Sequence, residues 1–402
     1  MNQSAIKIYS YRWVILAVYF LITIIIEIQW LNFASVSVAA QEFYQTSALR
    51  IDFLSMIYMI VFIIMSLPAS YIIDTWGLKT GLTIGALFTG FFAVLKAWGG
   101  ENLLIVTIAQ TGLALAQPFI LNSVTTVGAK WFPVNERATV AGLGSLAQYI
   151  GIIIALAITP LLISVTPNGS YNIEKMLWIY AVVSVAGALI ILVFMREEPP
   201  TPPVSDKFTM RTKPIEGIST IFKNRDMIWL LLLFFIGLGI FNAVSTCIDQ
   251  ICRNLTMEET GMVGGIMLVG GILGASVLPV ISDKKGKRKP FLVICMILML
   301  PGLIGLTFFN DFVPLLISAF VFGFFIMSAG PIGFQYGAEI SYPAPESTSQ
   351  GVILMVGQIS GIIFVFGLNK MGVTIAMVSF IILMLINVFL STRLKESMNR
   401  FQ

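Results

Sequence analysis

Two shortages set the first limits on this protein. The chain of 402 residues contains no histidine, which removes the commonest metal ligand and the commonest general base. Only 11% of its residues are charged, whereas 57% are hydrophobic. Soluble domains carry about a quarter of their residues as charged side chains. So few charges cannot cover a globular surface with polar groups, and the sequence therefore predicts that lipid surrounds most of the chain.

Cysteine and net charge are also low, and each excludes a class of protein. Of the three cysteines, Cys247 and Cys252 lie five residues apart on one predicted helix and point in different directions, so a structural disulfide is not expected. The net charge of +4 is spread along loops and predicts no nucleic-acid partner. We find no nucleophile–base pair and no cluster of metal ligands, so the sequence predicts neither an enzyme nor a cofactor or metal site.

Apolar stretches long enough to cross a bilayer recur in two sets of six. They fall at 12–38, 51–74, 79–98, 101–128, 136–163, 173–195, 226–250, 260–282, 289–309, 312–340, 346–368 and 371–391. The gap at 196–225 is charged and rich in proline, as in an extended hydrated tether. The sequence predicts an all-α membrane protein with twelve transmembrane helices: an N-terminal half over 1–195, a cytoplasmic linker, and a C-terminal half over 226–402.

The distribution of basic residues predicts the orientation. If the N-terminus is cytoplasmic, 19 of the 24 Lys and Arg residues fall in inside segments and five fall outside or near the outer face. Basic residues near transmembrane ends favour the cytoplasmic side. We therefore expect both termini in the cytoplasm, with the protein in the plasma (inner) membrane.

The two halves repeat each other at an offset of about 210 residues. Three pairs of segments match in this way: 74–79 with 283–288, 148–153 with 358–363, and the Asn-x-x-Ser positions 32–35 with 242–245. Parallel repeats of this kind are typical of the major facilitator superfamily, whose halves are related by an axis along the membrane normal. The resemblance implies that fold.

The first of these repeats, Asp-x-x-Gly-x-[Lys/Arg], is the best-known signature of that superfamily. Gly77 and Gly286 suit a tight turn that a side chain would disfavour. Asp74 and Asp283 could bind the amides at a neighbouring helix N-terminus, or a nearby Arg. We interpret the loops as a latch that breaks when one side of the protein opens. The alternative is that they only anchor the helices at the membrane surface.

Glu27 is the clearest charge at membrane depth, in the middle of the first predicted helix. A carboxylate there costs roughly 2.5–3.5 kcal/mol on insertion scales, so it should face the interior. Trp30 shares its helix face, and an acid beside an indole suits a cationic ligand. The alternatives are a protonated Glu bonded to a neighbouring helix and a Trp that only packs. No Lys or Arg occupies the middle of a predicted helix, which makes anionic substrates unexpected.

Several other polar residues are candidates for a cavity or gate. Asp249 lies near the outer end of the seventh predicted helix, and Glu339 lies near the inner end of the tenth. Neutral hydrogen-bonding groups are offered by Gln29, Gln117, Gln148, Gln335 and Gln358. Gln148 and Gln358 stand out because the repeat makes them equivalent, although any one glutamine could simply tie two helices together.

Three segments resemble the heme- and choline-transporter family named for the feline leukaemia virus subgroup C receptor. They are IQW at 28–30, IDFLSMIYM at 51–59 and PIGFQYGAEISYP at 331–343. The resemblance implies facilitated movement of small organic molecules such as heme, choline or ethanolamine. In the choline carriers an aromatic-and-glutamine cage surrounds the ammonium, and it maps here to Trp30 and Gln358.

This chain departs from the family at four positions. Gln148 is displaced by one residue, with Tyr149 beside it; Asn242 replaces a tyrosine; and Glu27 and Asp249 replace a small residue and an asparagine, respectively. The two added acids favour a cationic or amine-bearing substrate, such as choline or a related metabolite. The departures count against choline itself.

The sequence as a whole predicts a monomeric secondary carrier in contact with membrane lipid, which moves a small molecule by alternating access without coupling. Its site would lie between the two halves, formed by Glu27, Trp30, Gln148, Tyr149, Asn242 and Gln358. One alternative is a proton-coupled carrier or exporter of heme, a vitamin or a drug-like compound, with Glu27 or Asp249 as the proton site. A non-transporting membrane receptor is a further alternative.

Overall fold

The computed structural model describes residues 8–165, 171–201, 214–252, 254–255 and 257–397. Within these ranges the chain forms sixteen α-helices, two short 3₁₀ turns and one antiparallel two-stranded hairpin. The hairpin pairs β1 (Ser164–Val165) with β2 (Tyr171–Asn172). The helices are α1 (Arg12–Leu31), α2 (Ser37–Phe43), α3 (Ala48–Trp76), α4 (Leu78–Gly99), α5 (Leu103–Leu121), α6 (Val124–Trp131), α7 (Arg137–Leu162), α8 (Glu174–Phe194), α9 (Pro214–Lys223), α10 (Arg225–Thr246), α11 (Ile248–Ile251), α12 (Met257–Lys285), α13 (Lys289–Phe308), α14 (Phe312–Ile340), α15 (Glu346–Met371) and α16 (Val373–Arg393).

The twelve predicted transmembrane helices are confirmed. Judged by length and composition, twelve helical stretches in the described residues can cross a membrane. Most of their ends agree with the apolar stretches to within a few residues, as at Phe312–Ile340. The stretch at 226–250 ends earlier, because α10 stops at Thr246 and the chain re-forms as the short α11.

Four tryptophans mark the ends of spanning helices. Trp13 opens α1 and Trp76 closes α3, with exposed fractions of 49% and 63%. Trp98 near the end of α4 and Trp178 near the start of α8 are similarly exposed, at 69% and 47%. Amphipathic indole rings favour the membrane–water interface. Their positions agree with helices whose ends lie at the two surfaces of a bilayer.

The turn between α3 and α4 and the turn between α12 and α13 each depend on a glycine. Gly77 has a φ of +100° and Gly286 a φ of +60°, in the region that L-residues with side chains rarely adopt. Both are the glycines of the Asp-x-x-Gly loops. These turns reverse the chain within one to three residues and bring consecutive spanning helices side by side.

The predicted linker is only partly an extended tether. Residues 202–213 lie outside the described part of the chain, but α9 is a helix that packs on the residues before α15. A Cβ added at Gly217 would lie 2.8 Å from Cδ of Pro345, and Ile221 is fully buried. The prediction of an unstructured tether was therefore wrong for α9, because a short apolar face is enough to dock it.

The chain divides into two units. The first contains Met1–Phe132 and Ala147–Thr209, and the second contains Pro133–Leu146 and Met210–Gln402. Residues 133–146, at the start of α7, therefore group with the second unit. Their close packing shows why: a Cβ added at Gly142 would lie only 2.6 Å from the carbonyl oxygen of Ala275 in α12.

The charge distribution generates a topology prediction that cysteine labelling can test. Glu198, after α8, and Asp311, before α14, are both exposed. In intact cells of the native host, a membrane-impermeant thiol reagent should label Asp311→Cys from outside and reach Glu198→Cys only after the cells are opened. The three natural cysteines are buried and should contribute little background. Labelling of Glu198→Cys in intact cells would contradict the predicted orientation.

Candidate functional site

The carboxylate of Glu27 is buried in the first unit with little to balance its charge. The residue lies in α1 and is 2% exposed. Within the described residues, its side chain accepts one hydrogen bond, from Nε2 of Gln117 in α5, which is 3.4 Å from Oε1. No Lys or Arg forms an ion pair with it in the described part of the chain. A long bond from a neutral amide is weak compensation for a buried charge.

A glycine brings α7 close to this carboxylate. A Cβ at Gly151 would lie 2.6 Å from the carbonyl oxygen of Ile24 and 2.7 Å from Cβ of Glu27. Only glycine allows so close an approach of the two helices. Tyr149 lies two residues before Gly151 on the same helix. The structure thus packs this stretch of α7 against the part of α1 that carries Glu27.

Trp30 is held in a fixed orientation one turn along α1. Its indole Nε1 donates a hydrogen bond of 3.0 Å to the carbonyl oxygen of Ser55 in α3. Its ring centroid lies 6.5 Å from the ring of Tyr58, with the planes at 39°. The indole is half-buried, so part of it stays accessible. With its N–H occupied, Trp30 offers a ligand its π face.

Gln148 and Tyr149 are half-buried at the next positions of α7. Within the described residues, neither side chain makes a hydrogen bond. Gln358, which the repeat relates to Gln148, is likewise half-buried in α15 of the second unit, and its side chain makes no hydrogen bond with any residue that the structure describes. Polar groups that are half-buried without protein partners are free to bind a ligand or water.

Asn242 has a packing role. Its Nδ2 lies 3.4 Å from the carbonyl oxygen of Gly357, to which it donates. A Cβ at Gly361 would come within 2.5 Å of the same nitrogen. The amide therefore ties α10 to α15, where these glycines leave room for it. Asp249 lies in α11, and its side chain is outside what the structure describes.

The sequence did not predict a buried lysine in the first unit. Lys96 of α4 is fully buried, its Nζ 3.1 Å from Oε1 of Gln110 and 5.5 Å from the ring centroid of Phe33. Gln110 in turn donates to the carbonyl oxygen of Gln29, and Gln29 donates to Oγ of Ser184 at 2.9 Å. Gln29 and Gln110 therefore tie neighbouring helices together, which is the structural alternative to lining a cavity.

The second unit contains a buried cluster of paired charges at the end of α12. The guanidinium of Arg288 is fully buried, with Nη1 2.6 Å from Oδ1 of Asp283 and Nη2 3.1 Å from Oε1 of Glu339. Burial alone would lower the pKa of Arg288, but the charges of Glu339 and Asp283 outweigh it and the net shift is upward. Gln335 donates to Glu339 at 2.9 Å, so this glutamine serves the cluster.

Asp283 also caps the N-terminus of α7. Its Oδ2 accepts hydrogen bonds from the backbone N and from Oγ1 of Thr139, at 2.6 and 2.7 Å, and Oδ1 accepts from the backbone N of Ala138 at 3.3 Å. An anion at a helix N-terminus satisfies free amides and interacts favourably with the helix dipole. Asp283 thus makes both contacts that the sequence suggested, one with a helix N-terminus and one with an Arg.

In the first unit, Glu197 binds the N-terminus of a helix. Its two carboxylate oxygens accept from the backbone N atoms of Leu78 and Lys79, at 3.0 and 2.7 Å, and it pairs with Lys130. Asp74 lies half-buried at the end of α3. Glu197 was not predicted from the sequence, although the charged Glu-Glu-Pro-Pro segment directly after α8 contains it.

The segment after α16 repeats this arrangement. Glu396 accepts a hydrogen bond of 2.7 Å from the backbone N of Arg288, which precedes α13, and Oγ of Ser397 lies 2.5 Å from Oε2 of Glu339. Arg288 and Lys79 are equivalent positions of the repeat. In each half, therefore, a carboxylate from the segment after the sixth spanning helix binds at the start of the third spanning helix, which is α4 in the first half and α13 in the second.

Comparison with known proteins identifies the family. The model of the Major Facilitator Superfamily matches residues 15–365. Among curated proteins, the choline/ethanolamine transporter FLVCR2 of Rattus norvegicus is 27% identical over 380 residues, covering 90% of this chain and 70% of its own. Solute carrier family 49 member A3 of Xenopus tropicalis is 29% identical over 388 residues, covering 92% and 80%. An uncharacterised MFS-type transporter of Caenorhabditis elegans, C09D4.1, is 28% identical over 375 residues; the match covers 89% of this chain and 64% of that relative.

Solved structures agree on the fold. The transporter FucP in its outward conformation superposes with a TM-score of 0.75 at 13% identity, covering 96% of this chain and 99% of its own. The proton:xylose symporter XylE reaches a TM-score of 0.73 at 13% identity, covering 98% and 99%. At this level of identity the similarity concerns the arrangement of helices.

The two charge clusters generate a stability prediction. Arg288→Met leaves two buried carboxylates unpaired and should cost about 3–5 kcal/mol in the free energy of unfolding. Lys130→Met removes a pair whose side chains are 30% and 35% exposed, and should cost about 0–1 kcal/mol. Thermal unfolding in detergent would compare the two, with Arg288→Lys expected to recover part of the loss because it keeps the charge. Equal losses in the two Met variants would show that the buried cluster has no special weight.

Proposed function

Since this chain belongs to the major facilitator superfamily of membrane transporters, we propose that it is a secondary carrier for a small organic cation or amine. Transport is by alternating access and facilitated diffusion. The carrier acts as a monomer in the plasma (inner) membrane, with both termini in the cytoplasm. Its substrate is choline-like in charge and size, in line with similar proteins such as the choline/ethanolamine transporter FLVCR2.

The unpaired carboxylate of Glu27 is the observation that carries this proposal. An ionised carboxylate in a medium without water is costly unless a positive charge lies beside it. The described protein residues supply no positive charge beside Glu27, and a cationic substrate would supply one. The π face of Trp30, on the same side of α1, adds the attraction that aromatic rings exert on ammonium groups.

The remaining candidates add neutral contacts. We assign Gln148, Tyr149 and Gln358 to the substrate because their polar groups are half-buried and have no hydrogen-bond partners in the described structure. We include Asn242 through its amide oxygen, since Nδ2 already donates to Gly357.

The Asp-x-x-Gly loops supply the gate. Asp283 holds the start of α7 and binds Arg288, which in turn binds Glu339. We propose that these bonds, together with Asp74 and the turns at Gly77 and Gly286, hold one conformation and break when the carrier changes state. The loops lie at the ends of spanning helices, whereas Glu27 lies within one, so we expect the loops to govern the rate of transport more than substrate affinity.

A proton-coupled carrier is the second candidate, and the environment of Glu27 favours it as well. A carboxyl group that is buried beside a neutral amide can hold a proton in place of a cationic substrate. Asp249 is the other candidate proton site. In this version Glu27 exchanges protons with the two sides of the membrane, and a pH gradient drives the solute.

Substitution of Glu27 should separate the two candidates. If Glu27 binds the substrate's charge, Glu27→Gln should weaken binding of an amine by about 2–5 kcal/mol. Trp30→Ala should weaken it by roughly 0.5–2 kcal/mol, for the cation–π contribution. Equilibrium binding and uptake in proteoliposomes measure both effects, with the exposed Glu101→Gln as a matched control in the first unit.

The proton-carrier candidate predicts a different pattern for Glu27→Gln. Binding and exchange survive, whereas accumulation driven by a pH gradient disappears. If neither binding nor gradient-driven uptake changes, Glu27 is a structural carboxyl group and the cationic substrate loses its main support.

A further inference from the structure

Tyr58 contributes an unsatisfied polar group beside the proposed cation site. It lies in α3 and is 1% exposed, and its hydroxyl has no hydrogen-bond partner in the described structure. Its ring centroid lies 6.5 Å from that of Trp30, which shares a face of α1 with Glu27. A buried hydroxyl without a partner is costly, so one that persists beside a binding site is available to a ligand.

The groups around this point are mainly acceptors. Glu27 offers two carboxylate oxygens and receives one long hydrogen bond, 3.4 Å from Gln117. The phenol oxygen of Tyr58 can also accept a hydrogen bond. The indole N–H of Trp30, a donor that could have served them, is bound to the carbonyl oxygen of Ser55. Around Glu27, Tyr58 and Trp30, the described contacts therefore leave acceptor positions open and supply no positive charge.

We infer that this site selects amines that retain N–H bonds over fully methylated, quaternary ammonium ions, with Tyr58 as a specificity-determining residue. The inference rests on the proposed function, because it concerns the same site and the same positive charge. A primary ammonium group carries three N–H donors: one can bind a Glu27 oxygen and another the Tyr58 oxygen, while the cation lies against the Trp30 ring.

A quaternary ammonium ion satisfies only part of this arrangement. It brings the same charge and the same cation–π attraction, but it has no N–H to donate. Its methyl groups would leave the Tyr58 hydroxyl and a carboxylate oxygen buried without partners. Sites built to hydrogen-bond a ligand N–H discriminate strongly against analogues that lack it, because the buried polar groups then stay unpaired. Charge alone would not distinguish the two classes of ligand.

A methylation series tests the inference at constant charge. The ligands are 2-aminoethanol and its N-methyl, N,N-dimethyl and N,N,N-trimethyl derivatives, the last of which is choline. Binding to the purified full-length protein is measured by calorimetry and by competition for uptake into proteoliposomes. Affinity should fall along the series, with a loss of about 10- to 100-fold from the primary amine to choline.

Tyr58→Phe assigns the selectivity to a residue. The variant keeps the ring beside Trp30 and removes the hydroxyl, so its binding should depend less on methylation than that of the wild type. Tyr71→Phe, at an exposed tyrosine of the same helix, is the matched control and should keep the wild-type series. Thermal unfolding of both variants verifies that they fold.

Each outcome bears on the inference. A flat wild-type series, or one in which choline binds best, would overturn it while leaving the cation carrier intact. If Tyr58→Phe keeps the full difference in affinity between the primary amine and choline, Tyr58 does not determine the specificity. If no member of the series binds, the proposed cation carrier fails, and the inference fails with it.

Discussion

A charge buried away from water must have a partner, and this protein is organised around how it meets that requirement. In the second unit, Arg288 lies between the carboxylates of Asp283 and Glu339. In the first, Lys96 relies on the amide of Gln110 and the ring of Phe33. Glu27 alone among these groups has neither an ion pair nor a strong hydrogen bond in the described residues. Because lipid offers no compensation, that deficit points to function.

The two kinds of cluster serve different purposes. The fully paired cluster holds helix ends: Asp283 caps α7, and Glu396 binds the start of the α13 segment. Such pairs give a protein definite conformations whose bonds can break together. The under-paired carboxylate instead sits where α1, α5 and α7 approach one another, beside a fixed indole. In the function we propose, a substrate cation pairs with this carboxylate and is later released.

The sequence was sufficient for the fold because lipid demands long apolar helices, which are visible locally. It identified Glu27 for a similar reason, since one acid in an apolar run stands out. It did not reveal Tyr58, the burial of Lys96, or the caps made by Glu197 and Glu396. Those depend on contacts between distant segments, such as Glu197 with the N-terminus of α4. A tyrosine or a terminal glutamate carries no local pattern that predicts its partner.

The most direct test is the charge that accompanies each substrate molecule. If a cation binds to an ionised Glu27 and crosses alone, each transport cycle moves one positive charge. An inside-negative potential of 100 mV, imposed across proteoliposomes without a pH gradient, is worth about 2.3 kcal/mol per charge and should accumulate a permanently charged or protonated amine roughly 50-fold. Uptake that ignores the potential and follows a pH gradient would contradict the account and establish exchange for protons.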